Sequence, residues 1–103
     1  MNSEVLLLYS RKGCCLCEKL EQKLSNICLA KLNPSLVLSV IDIDSEEVSI
    51  EIQRKYTNEV PVILLNSNTL LRKIELPRVS PRLKEDLLLS WLQKNLDIFF
   101  KVS

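Results

Sequence analysis

Residues 5–17 of this 103-residue chain read VLLLYSRKGCCLC, and this segment decides the fold. Its first five residues are apolar and β-prone, which predicts a strand from Val5 to Tyr9. The polar stretch Ser10–Gly13 contains the only glycine of the chain and predicts a turn. From Cys14 onward the apolar residues recur every three or four positions, which predicts a helix. A strand, a turn and a helix therefore follow one another directly around three clustered cysteines.

The alternation of strands and helices continues to the end of the chain. The further predicted elements are, in order, a helix from Cys15 to Leu32, a strand from Leu36 to Ile43, a helix from Asp44 to Asn58, a strand from Val60 to Leu65, a strand from Thr69 to Leu76, and a helix that opens at Ser80-Pro81. Because the run from Leu36 is almost continuously apolar, we expect that strand to be covered on both faces. The mixed polarity from Thr69 onward predicts an antiparallel edge strand.

The element order β-α-β-α-β-β-α predicts an α/β fold, with a four-stranded mixed sheet flanked by helices. The two β-α-β links each predict a pair of parallel strands. The length fits a single domain that spans residues 1–103. The apolar stripes of the helices are expected to form the core, with Cys28 as a buried thiol and Trp91 as a core aromatic residue.

The composition excludes several classes of function. Lysine and arginine together number 14, against 13 aspartates and glutamates, so we expect no nucleic-acid binding. Histidine is absent, which excludes Cys-His and Ser-His nucleophile pairs and His-ligated zinc. The apolar runs are too short for a membrane span or a signal sequence. We therefore expect a cytoplasmic protein whose four cysteines are catalytic or metal-binding rather than structural disulfides.

Cys14 and Cys17 carry the chemistry that the sequence predicts. They lie three positions apart at the start of a helix, so one helical turn brings their side chains to the same side. That spacing suits the reversible formation of a disulfide. The first cysteine also lies where the free N–H groups of a helix N-terminus stabilise a thiolate, and Arg11 and Lys12 add positive charge just upstream.

The remaining thiols leave a second hypothesis open. Cys15 lies between the two cysteines and points elsewhere around the helix, while Cys28 is too far along the predicted helix to share a site with Cys17. Three clustered thiolates are one ligand short of a closed zinc site. A metal site completed by a second subunit or by an external thiol is therefore the alternative to a redox dithiol.

Val60-Pro61 is the second informative feature, because proline within an apolar strand removes a donor from the sheet. A cis peptide bond just before the strand would explain it, and a trans proline at the strand start is the alternative. The exposed backbone of Val60 would then pair with an extended thiol substrate.

These residues resemble the thioredoxin superfamily, and most closely its glutaredoxin branch. The resemblance rests on the first strand with the following Ser10–Cys17 segment, on Val60-Pro61 and on the order of the elements. Gly13–Cys17 together with Glu75–Leu83 more narrowly resembles the short glutaredoxin-like proteins. The resemblance implies a thioredoxin-like fold over nearly the whole chain.

The resemblance also implies roles for individual residues. Cys14 is the expected attacking thiolate and Cys17 the expected resolving thiol. Arg11 matches the basic residue that binds a glutathione carboxylate, Val60 the residue whose backbone pairs with the glutathione cysteine, and Pro61 the cis-proline that faces the site.

The chain departs from the glutaredoxin pattern in three places. Cys15 and Leu16 stand between the active-site cysteines, in place of a proline and an aromatic residue. Glu59 replaces the threonine that precedes Val-Pro. Leu76–Ser80 replaces a Gly-Gly turn and an acidic pair that hold the γ-glutamyl end of glutathione.

The sequence thus predicts a glutaredoxin-like thiol-disulfide oxidoreductase that acts as a monomer without a bound cofactor or metal. Its expected partners are a disulfide-containing protein or a glutathione mixed disulfide, and a reducing partner, with glutathione as a candidate co-substrate. Two alternatives stay open. One is an iron–sulfur or metal carrier in which Cys14 ligates a cluster between subunits, and the other is a noncatalytic adaptor that keeps the thioredoxin fold.

Overall fold

The computed structural model describes residues 4–100, which form four strands, three α-helices and a short 3-10 helix. In chain order the elements are β1 (Glu4–Ser10), α1 (Cys15–Asn26), the 3-10 helix (Leu29–Lys31), β2 (Leu36–Asp42), α2 (Ile50–Tyr56), β3 (Val62–Ser67), β4 (Arg72–Glu75) and α3 (Glu85–Phe99). The predicted order of strands and α-helices is confirmed. Within residues 4–100, no helix is both long enough and apolar enough to span a bilayer.

The four strands form one mixed sheet in the order β2-β1-β3-β4. β1 runs parallel to β2, and Ser10 lies opposite Asp42 at the carboxyl end of the pair. β3 runs antiparallel to β1, so the expectation of parallel strands is wrong for the second β-α-β link. β3 starts at the end of the sheet where β2 stops, since Val62 pairs with Tyr9 and Asp42 pairs with the next residue of β1, Ser10.

Each face of the sheet carries its own hydrophobic cluster, because successive side chains of a strand point to opposite faces. α1 and α3 cover one face, where the fully buried leucines are Leu6, Leu8, Leu20, Leu24, Leu65, Leu88, Leu92 and Leu96. Trp91 is partly buried against this cluster, on the core side predicted for it. α2 covers the opposite face, where Tyr56 stacks on Tyr9 with 5.6 Å between the ring centroids.

A hydrogen bond ties α2 to the edge of the sheet formed by β4. The hydroxyl of Tyr56 donates to the carboxylate of Glu75 at 2.8 Å. Burial, together with this bond to a carboxylate, raises the pKa of Tyr56 to about 12. The end of α2 is therefore fixed, and so is the position of Thr57, which follows it.

β2 lies at the other edge of the sheet, so the expectation that it is covered on both faces is wrong. Val37 is 54% exposed and Val40 is 41% exposed. β2 pairs with β1 alone, and the short α2 packs on Tyr9 and its neighbours nearer the centre of the sheet. The predicted edge position of β4 is confirmed.

α1 ends at Asn26, well before the predicted end at Leu32. The chain becomes extended after Asn26, and the short 3-10 helix then directs Leu29 and Leu32 into the core. The expectation that Cys28 is a buried thiol is therefore wrong, because Cys28 is free and exposed. A helix that continued to Leu32 would have placed Cys28 on the buried apolar stripe. Because α1 ends at Asn26, Cys28 lies outside the helix and faces solvent.

α2 begins later than its acidic start signal predicts. The capping residue is Ser49 and not Asp44. The hydroxyl of Ser49 accepts a hydrogen bond from the amide of Ile52 at 3.3 Å. The carboxylate of Asp44 instead accepts hydrogen bonds from Arg11, a residue distant in sequence. The predicted start at Asp44 is wrong because a tertiary contact uses the side chain that would have capped the helix.

α3 likewise begins at Glu85 rather than at Ser80-Pro81. The ammonium group of Lys23 on α1 donates to the carbonyl oxygens of Pro81 and Leu83, at 2.6 and 2.8 Å. These carbonyls therefore bind a side chain from another helix, instead of the amides one turn further along their own. The segment before α3 is a turn fastened to α1.

Glu4 fixes the turn between β3 and β4. Its carboxylate is almost fully buried and accepts hydrogen bonds from the amide of Asn68 and the hydroxyl of Thr69, both at 2.7 Å. Burial alone would raise the pKa of Glu4, but the hydrogen bonds outweigh it and hold the pKa below its ordinary value of 4.5. The charged carboxylate therefore contributes stability above the pKa of the unfolded chain, and this contribution is lost in acid.

We expect Glu4→Gln to lower the free energy of unfolding by about 2 kcal/mol at neutral pH, because an amide replaces a charged acceptor of buried hydrogen bonds. Urea denaturation from neutral to acidic pH measures the difference, which should narrow as the pH falls through the lowered pKa of Glu4. Glu46→Gln changes an exposed glutamate and should shift stability by less than about 0.5 kcal/mol. A Glu4→Gln difference that stays constant with pH would contradict this assignment.

Candidate active site

Cys14 occupies the N-cap position of α1, at the end of the turn that follows β1. Its backbone is extended, and its sulfur accepts a hydrogen bond from the amide of Cys17 at 3.2 Å. Gly13 has a φ of 79°, a conformation that residues with side chains rarely adopt, so the only glycine of the chain stands where the turn requires it. The turn thus brings a cysteine sulfur to the positive end of a helix, where a thiolate is stabilised.

Cys14 and Cys17 are joined in a disulfide, with 5.2 Å between their Cα atoms. The two residues differ in accessibility. Cys17 has no exposed surface, whereas Cys14 is only half-buried. A molecule that approaches the reduced form would therefore meet the sulfur of Cys14 first.

Cys15 and Cys28 are free and exposed. Cys15 is the first residue of α1 and lies between the two cysteines of the disulfide without joining it. Within residues 4–100, no three or more cysteine, aspartate or glutamate side chains are grouped so that they could hold a metal ion. The hypothesis of a metal or cluster completed by a second subunit stays a prediction.

The peptide bond between Val60 and Pro61 is cis, which confirms the cis bond that the sequence predicted before this strand. Pro61 directly precedes β3, whose first residue, Val62, pairs with Tyr9 of β1. The turn that carries Cys14 follows Tyr9, so this turn and the cis-proline lie at the same end of the sheet. Among the described residues, no hydrogen bond uses the N–H or the C=O of Val60, and both groups are free for an extended ligand.

Arg11 lies in the turn before the dithiol, but its guanidinium is directed at α2 and the loop before it. It donates to both carboxylate oxygens of Asp44, at 2.8 and 3.0 Å, and to the carbonyl and hydroxyl oxygens of Thr57, both at 2.8 Å. The hydrogen bond from Arg11 holds the pKa of Asp44 below its ordinary value. A carboxylate ligand at Arg11 would have to exchange with Asp44, and the role predicted for Arg11 stays a prediction.

Arg78 is a residue of this region that the sequence pattern does not single out. Its guanidinium donates to the carbonyl oxygens of Glu59 and Pro61 and forms an ion pair with the carboxylate of Glu59. The signal in the sequence was indirect, since Glu59 and Leu76–Ser80 are two of the places where the chain departs from the glutaredoxin pattern. The structure brings these two departures into contact.

Two concave surfaces are lined by the turn before α1 and by the start of β3. A groove of about 380 Å³ adjoins the turn before α1 and is lined by Ser10, Arg11, Lys12, Glu18, Glu21, Val40 and Asp42. A much smaller cleft on the side of β3 is lined by residues that include Leu20, Pro61 and Arg78. The first surface carries charges of both signs. The second brings the cis-proline and Arg78 together with α1.

Comparisons with known proteins agree with this geometry. The family model described as a glutaredoxin-like domain (DUF836) matches residues 5–93. A solved structure described as "Structure of a malarial protein" has a TM-score of 0.59 and 23% sequence identity, over 92% of this chain and 99% of that chain. No curated protein matches the sequence. The four-stranded mixed sheet with its flanking helices is the predicted thioredoxin-like fold.

In the reduced protein we expect Cys14 to react with iodoacetamide at least about tenfold faster than Cys17, because Cys14 is only half-buried whereas Cys17 has no exposed surface. The double variant Cys15→Ser/Cys28→Ser removes the two exposed free thiols that would otherwise compete. Mass spectrometry of proteolytic peptides then follows the two remaining cysteines separately. Equal rates for Cys14 and Cys17 would contradict the difference in accessibility.

Proposed function

Since this chain belongs to the glutaredoxin-like family (DUF836), we propose that it is a thiol-disulfide oxidoreductase that works through Cys14 and Cys17. The observation that carries the proposal is the position of Cys14, a half-buried N-cap residue whose sulfur accepts the amide of Cys17. Helix amides stabilise a thiolate there without a histidine, a residue that the chain lacks.

The proposed reaction transfers two electrons from the dithiol to a substrate disulfide. The thiolate of Cys14 attacks one substrate sulfur and forms a mixed disulfide, while the other substrate sulfur leaves with the electron pair of the broken bond and takes up a proton. Cys17 then gives up its proton and attacks the sulfur of Cys14. This step closes the Cys14–Cys17 disulfide and releases the second substrate sulfur, which is protonated in turn.

The burial of the two sulfurs supports this assignment of roles. Cys14 is the sulfur that an external disulfide can approach, which suits the nucleophile. Cys17 has no exposed surface, so it is protected from outside disulfides and can attack only a bond formed at Cys14. The disulfide between Cys14 and Cys17 supports the proposal, because the second step would form this bond.

Val60 is the proposed docking point for the main chain of the substrate. Its N–H and C=O have no partner among the described residues, and the residue lies at the same end of the sheet as the dithiol. A short extended segment on either side of the substrate cysteine can add to this backbone as a strand adds to a sheet edge. Pro61 follows Val60 and lines the small cleft against α1.

The proposed substrate is a disulfide in another protein or a mixed disulfide with glutathione, reduced by a monomer in the cytoplasm. Glutathione or a separate reductase would return the Cys14–Cys17 disulfide to the dithiol. If glutathione binds with a carboxylate at Arg11, that carboxylate takes the place of Asp44 in the hydrogen bonds described above.

A single-turnover experiment tests the proposal. Reduced protein is mixed with an excess of a peptide disulfide, and mass spectrometry follows the products. We expect wild type to release two peptide thiols and to end with the Cys14–Cys17 disulfide. In a Cys15→Ser background, which removes the exposed thiol beside Cys14, Cys17→Ser should stop at a mixed disulfide on Cys14. Cys14→Ser in the same background should be slower by at least about a hundredfold, because only the buried thiol of Cys17 remains in the motif.

Cys28→Ser is the matched control, since it removes an exposed thiol outside the motif and should leave the rate unchanged. Wild-type speed in Cys14→Ser would sink the proposed mechanism. A protein that reduces no disulfide in its dithiol form, or that is purified with stoichiometric iron, would instead favour one of the alternatives.

A further inference from the structure

Arg78 holds the backbone on both sides of the proposed docking residue. One nitrogen of its guanidinium donates to the carbonyl oxygen of Glu59, and the same nitrogen lies 3.4 Å from the carbonyl oxygen of Pro61. The second terminal nitrogen forms an ion pair with the carboxylate of Glu59. A single side chain thus contacts the residue before Val60 and the residue after it.

The hydrogen bonds of this loop explain why the contact matters for Val60. Arg78 binds the carbonyls of Glu59 and Pro61, and its ion pair with Glu59 keeps the guanidinium in place. Because the residues before and after Val60 are both held, the main chain of Val60 is held between them. The two neighbours have a partner, whereas the N–H and C=O of Val60 have none among residues 4–100.

We propose that Arg78 is a positioning residue that orients the free N–H and C=O of Val60 toward the main chain of a peptide substrate. The proposal rests on the proposed function and adds a substrate class to it. Disulfides within extended peptide segments gain from this backbone pairing, whereas small disulfides without a peptide group do not. Arg78 therefore sets a preference for peptide disulfides.

Arginine suits position 78 better than lysine because the side chain there has three partners. A planar guanidinium can donate to two carbonyl oxygens and a carboxylate at once, in a fixed arrangement, whereas a lysine ammonium is a single flexible point charge. Glu59 contributes by keeping the guanidinium beside the loop, and Arg78 neutralises the acid that stands before Val60. The Arg78–Glu59 pair acts as one unit.

The test compares two disulfides in wild type, Arg78→Gln and Arg78→Lys. One is a peptide disulfide with several residues on each side of the cysteine, and the other is bis(2-hydroxyethyl) disulfide, which has no amide groups. We expect Arg78→Gln to raise the KM for the peptide about tenfold, the equivalent of roughly one lost hydrogen bond, and to leave the small disulfide unchanged. The KM of Arg78→Lys for the peptide should lie between those of wild type and Arg78→Gln.

Arg82→Gln is the matched control, because Arg82 is an exposed arginine in the same segment without a side-chain contact to the Val60-Pro61 loop. It should leave both substrates unchanged. An equal loss of activity on both disulfides in Arg78→Gln would assign Arg78 a merely structural role and overturn the proposal. Unchanged kinetics on both would overturn it as well.

A binding measurement separates this proposal from the proposed function. A peptide with serine in place of its cysteines is titrated into the protein, and the amide NMR signal of Val60 is followed. We expect the signal to shift in wild type and to shift far less in Arg78→Gln. A protein that reduces neither disulfide but shows this difference would refute the proposed function and support the role of Arg78. Equal shifts in both proteins would refute the role of Arg78.

Discussion

The antiparallel pairing of Tyr9 with Val62 is the constraint on which the candidate site depends. β1 leaves the sheet at the point where β3 enters it, so the turn with Cys14 and the cis-proline meet at one end without a long loop on either side. The register of this pairing is held by the buried leucines on one face and the stacked tyrosines on the other. A slip by one residue would turn every one of these side chains to the wrong face. The hydrophobic core, and not the loops, therefore fixes where the Cys14 turn and the cis-proline lie relative to the sheet.

The sequence predicted the features in which the local pattern and the tertiary environment agree. The first strand, the glycine turn and the helix that begins at Cys15 are each specified by neighbouring residues, and all are observed. The cis-proline before β3 was also recognisable, because a proline at that point conflicts with an ordinary strand. The order of elements followed from the alternation of these patterns. The direction of β3 did not, since it depends on pairing with β1 and on the contact between Tyr9 and Tyr56, which join residues distant in sequence.

The features that were not predicted depend on contacts between residues distant in sequence. Lys23 binds the carbonyls that would have begun α3, and Arg11 binds the carboxylate that would have capped α2. Cys28 was assigned to the core because the apolar period continues past the true end of α1. Arg78 lies in a segment without regular structure, where no periodicity marks a residue as important. The dithiol can therefore be predicted from the local sequence at the start of α1. The surface that would recognise a substrate cannot, because it is formed by residues distant in sequence.

The segment between β4 and α3 packs on the leucine core through Leu76, Val79 and Leu83. Two long basic side chains also fasten it, Arg78 at its start and Lys23 of α1 near its end. It has no strand or helix of its own. The Arg78–Glu59 pair is more than half exposed, so dissolved ions weaken it far more than they weaken the leucine core. Ionic strength therefore affects the Arg78–Glu59 pair and the leucine core to different degrees. High salt weakens the Arg78–Glu59 pair at the rim of the cleft, while the apolar contacts of the same segment and the disulfide are not screened.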